Sequence, residues 1–323
     1  MSPRIVTTND GSSTLYSERY RQHYHNMSGA LTESRHVFFD RTGITDALAY
    51  HRNFTICEVG FGTGFHVLLL ERLHRETGSQ SRIQYHSVEK YPISGDLIRQ
   101  MGFTDLFVRS DATDDFHPLA VSRNQPGGPG ASSAPADRLR VPETPVDSLI
   151  RFSDALVLAE SGTTIRLDLP SITIRVFRGD FYDWDLSKKY QERSETSQVY
   201  LQDLSGSSKT GGTDASAASV DFGIGPVHFF LFDAFSPENN PELWTPAVFS
   251  KLLTIADNEA VLGTYCSATR ARAAMVHAGW HVARAVGPPG KREMTLASPG
   301  EDPLDGYKRV NEARLRKRFR DTW

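Results

Sequence analysis

Between Phe54 and Thr77 an apolar stretch, FTICEVG, runs into Gly60, Gly62 and Gly64 and resumes as FHVLLLERLHRET. Only glycine reaches positive φ without a steric penalty. Three alternating glycines therefore predict a tight turn joining a buried strand to a helix, the first half of a βαβ unit. The alternation then repeats. IQYHSVEK (83–90), SITIRVFRGDF (171–181), VHFFLFDAF (227–235) and EAVLGTYC (259–266) read as strands. SGDLIRQMG (94–102), TPAVFSKLLTIA (245–256) and ATRARAAMVHAG (268–279) read as helices, the second with Thr245 as N-cap and Pro246 at its first position, the third closed by Gly279.

Strands alternating with helices predict an α/β fold with a mostly parallel, doubly wound sheet. WHVARAVG (280–287) and REMTLAS (292–298) read as a terminal antiparallel hairpin. That addition suits a Rossmann-like class I methyltransferase fold better than a dehydrogenase. With 323 residues and 39% hydrophobic content, the chain can bury a sizeable core. The expected organisation is an N-terminal extension (1–50), a catalytic domain (51–306) and a basic C-terminal helix (307–323). Gly-, Pro- and Ser-rich stretches at 122–145 and 203–219 interrupt the domain and read as flexible insertions. DALVLAESGTTIRLDLP (154–170) looks like a small extra hairpin.

The two cysteines, Cys57 and Cys266, lack metal-ligand spacing, which points away from a disulfide framework and towards a reducing cytoplasm. The start has no apolar signal core, and no run is long enough to span a membrane. Net charge is −3, yet residues 307–323 carry seven Lys or Arg against two acids. Such a helix either follows phosphates or is a solvated surface helix.

The loop spacing is G-x-G-x-G with Glu58 two residues before the first glycine. It suits S-adenosyl-L-methionine, whose cationic end welcomes an acid; a dinucleotide or a tight structural turn are the other readings. Glu89, at a strand end, can accept from ribose hydroxyls. Asp180 can accept from an adenine amino group while Phe181 packs on the ring; the plainer reading is an Asx turn. Asp233 closes an apolar strand at the edge where open α/β sheets bind ligands. A carboxylate there can take a proton from an attacking amine, and Phe235 can stack on a flat base. The alternative is a strand-end cap with Phe235 in the core.

Several blocks together resemble the methyltransferase part of the MnmC/MnmD family. They are residues 10–39 (DGSSTLYSERYRQHYHNMSGALTESRHVFF), CEVGFGTGFHVLLL, SVEKYPIS, FRGDFYDW, DAFSPENNPELWTPAVF and GPPGKREM. The resemblance implies S-adenosyl-L-methionine-dependent methylation of an aminomethyl uridine at the tRNA wobble position, with the anticodon stem-loop as partner and no metal. It implies that Gly60, Gly62 and Gly64 hold the methionine end, Glu89 the ribose, Asp180 and Phe181 the adenine, and that Asp233 faces the amine. It also implies that Tyr16, Ser17, Glu33 and Arg35 help close the pocket, and that Lys291 and Arg292 contact tRNA or orient a loop. No flavin oxidase half follows Trp323, so the expected form is the stand-alone one. The two insertions and residues 154–170 depart from the family pattern. Competing readings are an aminopropyl- or methyltransferase for a small amine such as a polyamine, an oxidoreductase, and a non-catalytic RNA-binding relative.

Overall fold

The computed structural model describes residues 3–107, 143–187, 190–191, 221–222 and 224–320. An N-terminal three-stranded antiparallel sheet comprises β1 (Arg4–Thr7), β2 (Ser13–Ser17) and β3 (Gln22–His23). Helix α1 (Ala30–Ser34), a π-helical turn (Arg35–Asp40) and α2 (Ile44–Ala49) lead into the main sheet.

That sheet holds β4 (Phe54–Val59), β5 (Ile83–Glu89), β6 (Thr163–Asp168), β7 (Ile172–Arg178) and, beyond the strand pair β8 (Tyr190–Gln191) and β9 (Asp221–Phe222), β10 (Val227–Phe232). It continues with β11 (Ala256–Thr264), β12 (His281–Val286), β13 (Glu293–Ser298) and β14 (Lys308–Arg309). Its order is β14-β12-β13-β11-β10-β4-β5-β7-β6. The pairs joining β11, β10, β4, β5 and β7 are all parallel. β12 and β13 form the expected antiparallel hairpin, and β14 adds a further antiparallel strand.

The order in which successive strands join the sheet reverses between β4 and β10, with β5 and β7 added on one side and β10 and β11 on the other. That is the switch point where an open α/β sheet leaves a crevice. Alternate residues of β4 face opposite sides of the sheet. Ile56 joins a core shared with α3 (Phe65–Glu76), α4 (Gly95–Gln100), α5 (Phe103–Phe107) and α6 (Pro145–Leu158). Cys57 joins a second core with α7 (Pro246–Leu253), α8 (Thr269–Ala278) and α9 (Glu312–Arg320). Burial on both faces explains why these strands are continuously apolar rather than alternating.

The predicted hairpin over 154–170 is half right. Residues 154–158 finish α6, and β6 pairs antiparallel with β7 to extend the main sheet. The helix starts at a capping box in which Thr144 and Asp147 satisfy each other's backbone amides. Most of the first insertion and all of the second lie outside the described residues. In the basic tail, Val310 and Leu315 are buried in the second core. Cys57 and Cys266 are free and buried. No helix among the described residues is long and apolar enough to cross a membrane.

Candidate active site

At the carboxyl ends of the parallel strands lies a cleft of about 940 Å³, solvent at its mouth included. Its floor is the glycine loop. Gly60, Gly62 and Gly64 all hold positive φ, at 98°, 55° and 71°. Gly60 lies under the chain leaving β10, where an added Cβ would sit 3.2 Å from the Asp233 carbonyl oxygen. Gly62 lies against the Tyr24 ring. Gly64 is outside the cleft: it precedes α3, and a Cβ there would meet Leu149 of α6 at 2.6 Å. Its work is helix packing.

Glu89, at the end of β5, accepts from the Gly62 amide at 2.8 Å and the Tyr91 amide at 2.7 Å. Burial raises its carboxyl above the usual value, and those two amides partly counter the rise. Asp180 follows β7 and lines the cleft with Phe181. It accepts from the Tyr182 amide, so it does form a turn, and it pairs with Lys90 at 2.6 Å. Burial works against its charge, but Lys90 and the Tyr182 amide hold it below the ordinary value.

Asp233 lines the cleft at the end of β10, its amide donating to the Val59 carbonyl at 3.2 Å. Burial pushes its carboxyl well above the carboxylate range, Glu58 and Glu33 push the same way, and Lys291 pulls it back. The loop beyond is pinned. Tyr265 donates to the Ala234 carbonyl at 2.8 Å, and Trp244 Nε1 donates to the Phe235 carbonyl at 2.7 Å. Phe235 faces the cleft with Tyr20 stacked on it, ring centroids 4.3 Å apart, and Tyr24 edge-on.

Glu58 does not line the cleft. It is 1% exposed, and its oxygens are taken by His66 Nδ1 at 2.7 Å and Ser87 Oγ at 2.9 Å. It holds His66 from behind. Tyr16 and Ser17 also stay outside: Tyr16 packs on His23 beneath Arg4, and Ser17 accepts from the Tyr20 amide. Arg35 pairs with Asp40 at the surface. Glu33 is buried, binding the Asn26 amide and Lys291 Nζ. Lys291 and Arg292 line a second cavity, which shares Tyr265 with the cleft.

Sequence reasoning missed Tyr20, Gln22, Tyr24, His25, His66, Lys90 and Tyr265, all of which line the cleft. Gln22 accepts from the Ser236 amide and from Asn239, clamping the N-terminal sheet to the Asp233 loop. The available signal was the density of polar aromatics in YRQHYH. Burial pushes His25 down to about 3, with His66 adding to the shift. Among the described residues, His25, His66 and Asp233 have donor atoms within 4.8 Å of one another, close enough to converge on a cation. The imidazoles are already engaged by Thr14, Glu58 and Ser34.

Residues 211–299 match the sequence profile of a family described as S-adenosyl-L-methionine-dependent methyltransferase. The tRNA 5-methylaminomethyl-2-thiouridine biosynthesis bifunctional protein MnmC of Burkholderia mallei (strain NCTC 10229) is 26% identical over 294 residues, covering 90% of this chain. Its counterpart in Burkholderia pseudomallei (strain K96243) is 25% identical over the same length. The chain spans 35% of the length of each of these relatives. Among solved structures, MnmC2 from Aquifex aeolicus superposes with a TM-score of 0.55 at 20% identity, covering 98% of this chain and 75% of that one. This likeness supports the methyltransferase fold.

Proposed function

Because the chain is a relative of the S-adenosyl-L-methionine-dependent methyltransferases, we propose that it methylates the aminomethyl group of 5-aminomethyl-(2-thio)uridine at the tRNA wobble position. The product is 5-methylaminomethyl-(2-thio)uridine. The observation that carries this reading is the setting of Asp233: a carboxyl at the switch point, between the glycine loop and an aromatic wall.

The residues present fit the methyl donor. Gly60 and Gly62 offer bare backbone, and Thr63 Oγ1 is buried on the same wall without a hydrogen-bond partner among the described residues. Glu89 and Asp180 provide acceptors for hydroxyl and amino groups. When bound, S-adenosyl-L-methionine supplies an activated methyl group on a cationic sulfonium. The chain's part is to present a neutral amine, since a protonated one has no lone pair. Burial and two nearby acids favour the protonated form of Asp233. A cation arriving beside it favours the carboxylate, which then takes the amine proton and aims the lone pair. The uridine base stacks against the Tyr20–Phe235 pair after leaving its own stack. Positioning of the two reactants supplies much of the acceleration. The reaction belongs in the cytoplasm, with its tRNA.

The test is incubation with labelled S-adenosyl-L-methionine and tRNA carrying 5-aminomethyl-2-thiouridine, with Asp233→Ala in parallel. Label in the methylaminomethyl nucleoside, absent with the variant, is the expected result. Donor binding without transfer to this tRNA overturns the substrate assignment, and transfer to a polyamine instead establishes the small-amine reading.

A further inference from the structure

Three concavities follow one another across the molecule. The cleft shares Tyr265 with the second cavity, and the second shares Arg284 with a third. Among the described residues the third is lined by Thr269, Arg272, Arg284, Val310, Asn311, Arg314 and Leu315: three guanidinium groups and no acid. Nothing in methyl-donor binding uses this cavity.

We propose that the third cavity is a phosphate subsite for the RNA strand. The backbone flanking the target nucleotide passes Tyr265, crosses Lys291 and Arg292, and places a phosphate among Arg272, Arg284 and Arg314. This rests on the RNA substrate proposed above and gives that substrate a path.

The cationic groups differ in how far they are already spent. Arg272 is buried and donates to Thr295, Glu293 and the Met294 carbonyl, so it supplies charge from behind. Arg284 shares Glu293 at 3.6 Å, and its Nε is buried without a hydrogen-bond partner among the described residues. Arg314 and Arg292 are exposed and have no ion pair among the described residues. Helix α8 begins at Thr269 on this cavity, and no side chain caps it. The first amides of a helix lack intrahelical acceptors and favour an anion at that end. α9 is held in place by Val310 and Leu315 in the second core, which presents Arg314 on a fixed turn. Arginine suits phosphate because its planar fork donates two parallel hydrogen bonds. The basic tail thus contributes through its first turn, beside the sheet.

The experiment uses the full chain with Arg314→Glu and Arg292→Glu, and with Arg82→Glu as a control on an exposed residue just before β5, at the far end of the sheet. tRNA affinity is measured between roughly 50 and 200 mM salt, where phosphate contacts dominate the dependence. Donor affinity and melting temperature are read in parallel. Arg314→Glu and Arg292→Glu are expected to weaken tRNA binding about tenfold or more and to lower the salt slope by about one. Arg82→Glu, donor affinity and melting temperature stay at wild-type values. Wild-type tRNA binding that survives both variants overturns the path alone. An equal loss with Arg82→Glu also overturns it, as general charge. Affinity lost for inorganic phosphate but not for tRNA identifies a small-anion site and overturns the RNA path. A wild-type chain that binds no tRNA overturns both this path and the proposed substrate.

Discussion

Lys291 Nζ lies 2.7 Å from Glu33 Oε1, although 258 residues separate them in the chain. The pair joins the N-terminal block to the GPPGKREM turn, and both charges act on Asp233. Lys291 also sits 4.3 Å from the centre of the Tyr265 ring, at the wall between the cleft and the second cavity. Replacing it by methionine removes the cation that, among the described residues, pulls the Asp233 carboxyl down, and leaves Glu33 without its ion-pair partner. Both changes raise the Asp233 pKa. If transfer needs the carboxylate, the acid limb of the kcat profile moves to higher pH in Lys291→Met. A limb that stays put would show that Asp233 does not titrate in the rate-determining step.

Asp233 itself links activity to stability. Its pKa is raised in the folded chain, so the folded state binds more protons than the unfolded one above the ordinary carboxylate value of 3.8. Stability from this group is therefore full below that value and is lost as pH rises through the folded pKa. Asp233→Asn removes the penalty. Melting curves of variant and wild type should coincide near pH 4 and separate upward through neutrality, with the variant the more stable. Transfer should fall by about 10²- to 10⁴-fold. A variant less stable than wild type at pH 7 would mean that the carboxylate is satisfied by partners in the fold.

Much of this site was legible because the responsible physics is local. Gly60 and Gly62 reach positive φ because they carry no Cβ, and the ends of apolar strands place Glu89, Asp180 and Asp233 at one edge of the sheet. The reading failed where the partner is distant in sequence. Glu58 looked like a donor ligand, but its side chain meets His66 and Ser87. Gly64 belongs to the same motif, yet it serves Leu149 of a helix more than eighty residues away in sequence. The aromatic wall needs Tyr20 to cross from the N-terminal sheet onto Phe235, which no periodicity announces. Residues 154–158 passed for a strand because the Thr144–Asp147 capping box that starts their helix abuts a Gly- and Pro-rich stretch.

Glu89 ties the glycine loop to the end of β5, accepting from two backbone amides. Hydrogen bonds to a charged acceptor contribute about 1.5–3 kcal/mol each. Glu89→Ala frees the Gly62 amide and removes the acceptor proposed for the donor's hydroxyls. Donor affinity measured by calorimetry should drop about tenfold to a hundredfold, where each tenfold is about 1.4 kcal/mol. Unchanged affinity would remove Glu89 from the donor site.

Glu58 offers the opposite expectation. Its neighbours are buried donors, His66 at 3% exposure and Ser87 at 0%, and neither reaches water if the carboxylate is lost. A buried donor left without an acceptor costs about 1–3 kcal/mol. Glu58→Ala should therefore lower stability by several kcal/mol in denaturant titration, whereas Glu58→Gln keeps one acceptor and should lose less. Below the melting temperature, donor affinity should change less than threefold in Glu58→Gln, because Glu58 lies behind the cleft wall. A large loss of donor affinity in that folded variant would place Glu58 in contact with the donor after all, and would mean that the carboxylate leaves His66 when the cleft is filled.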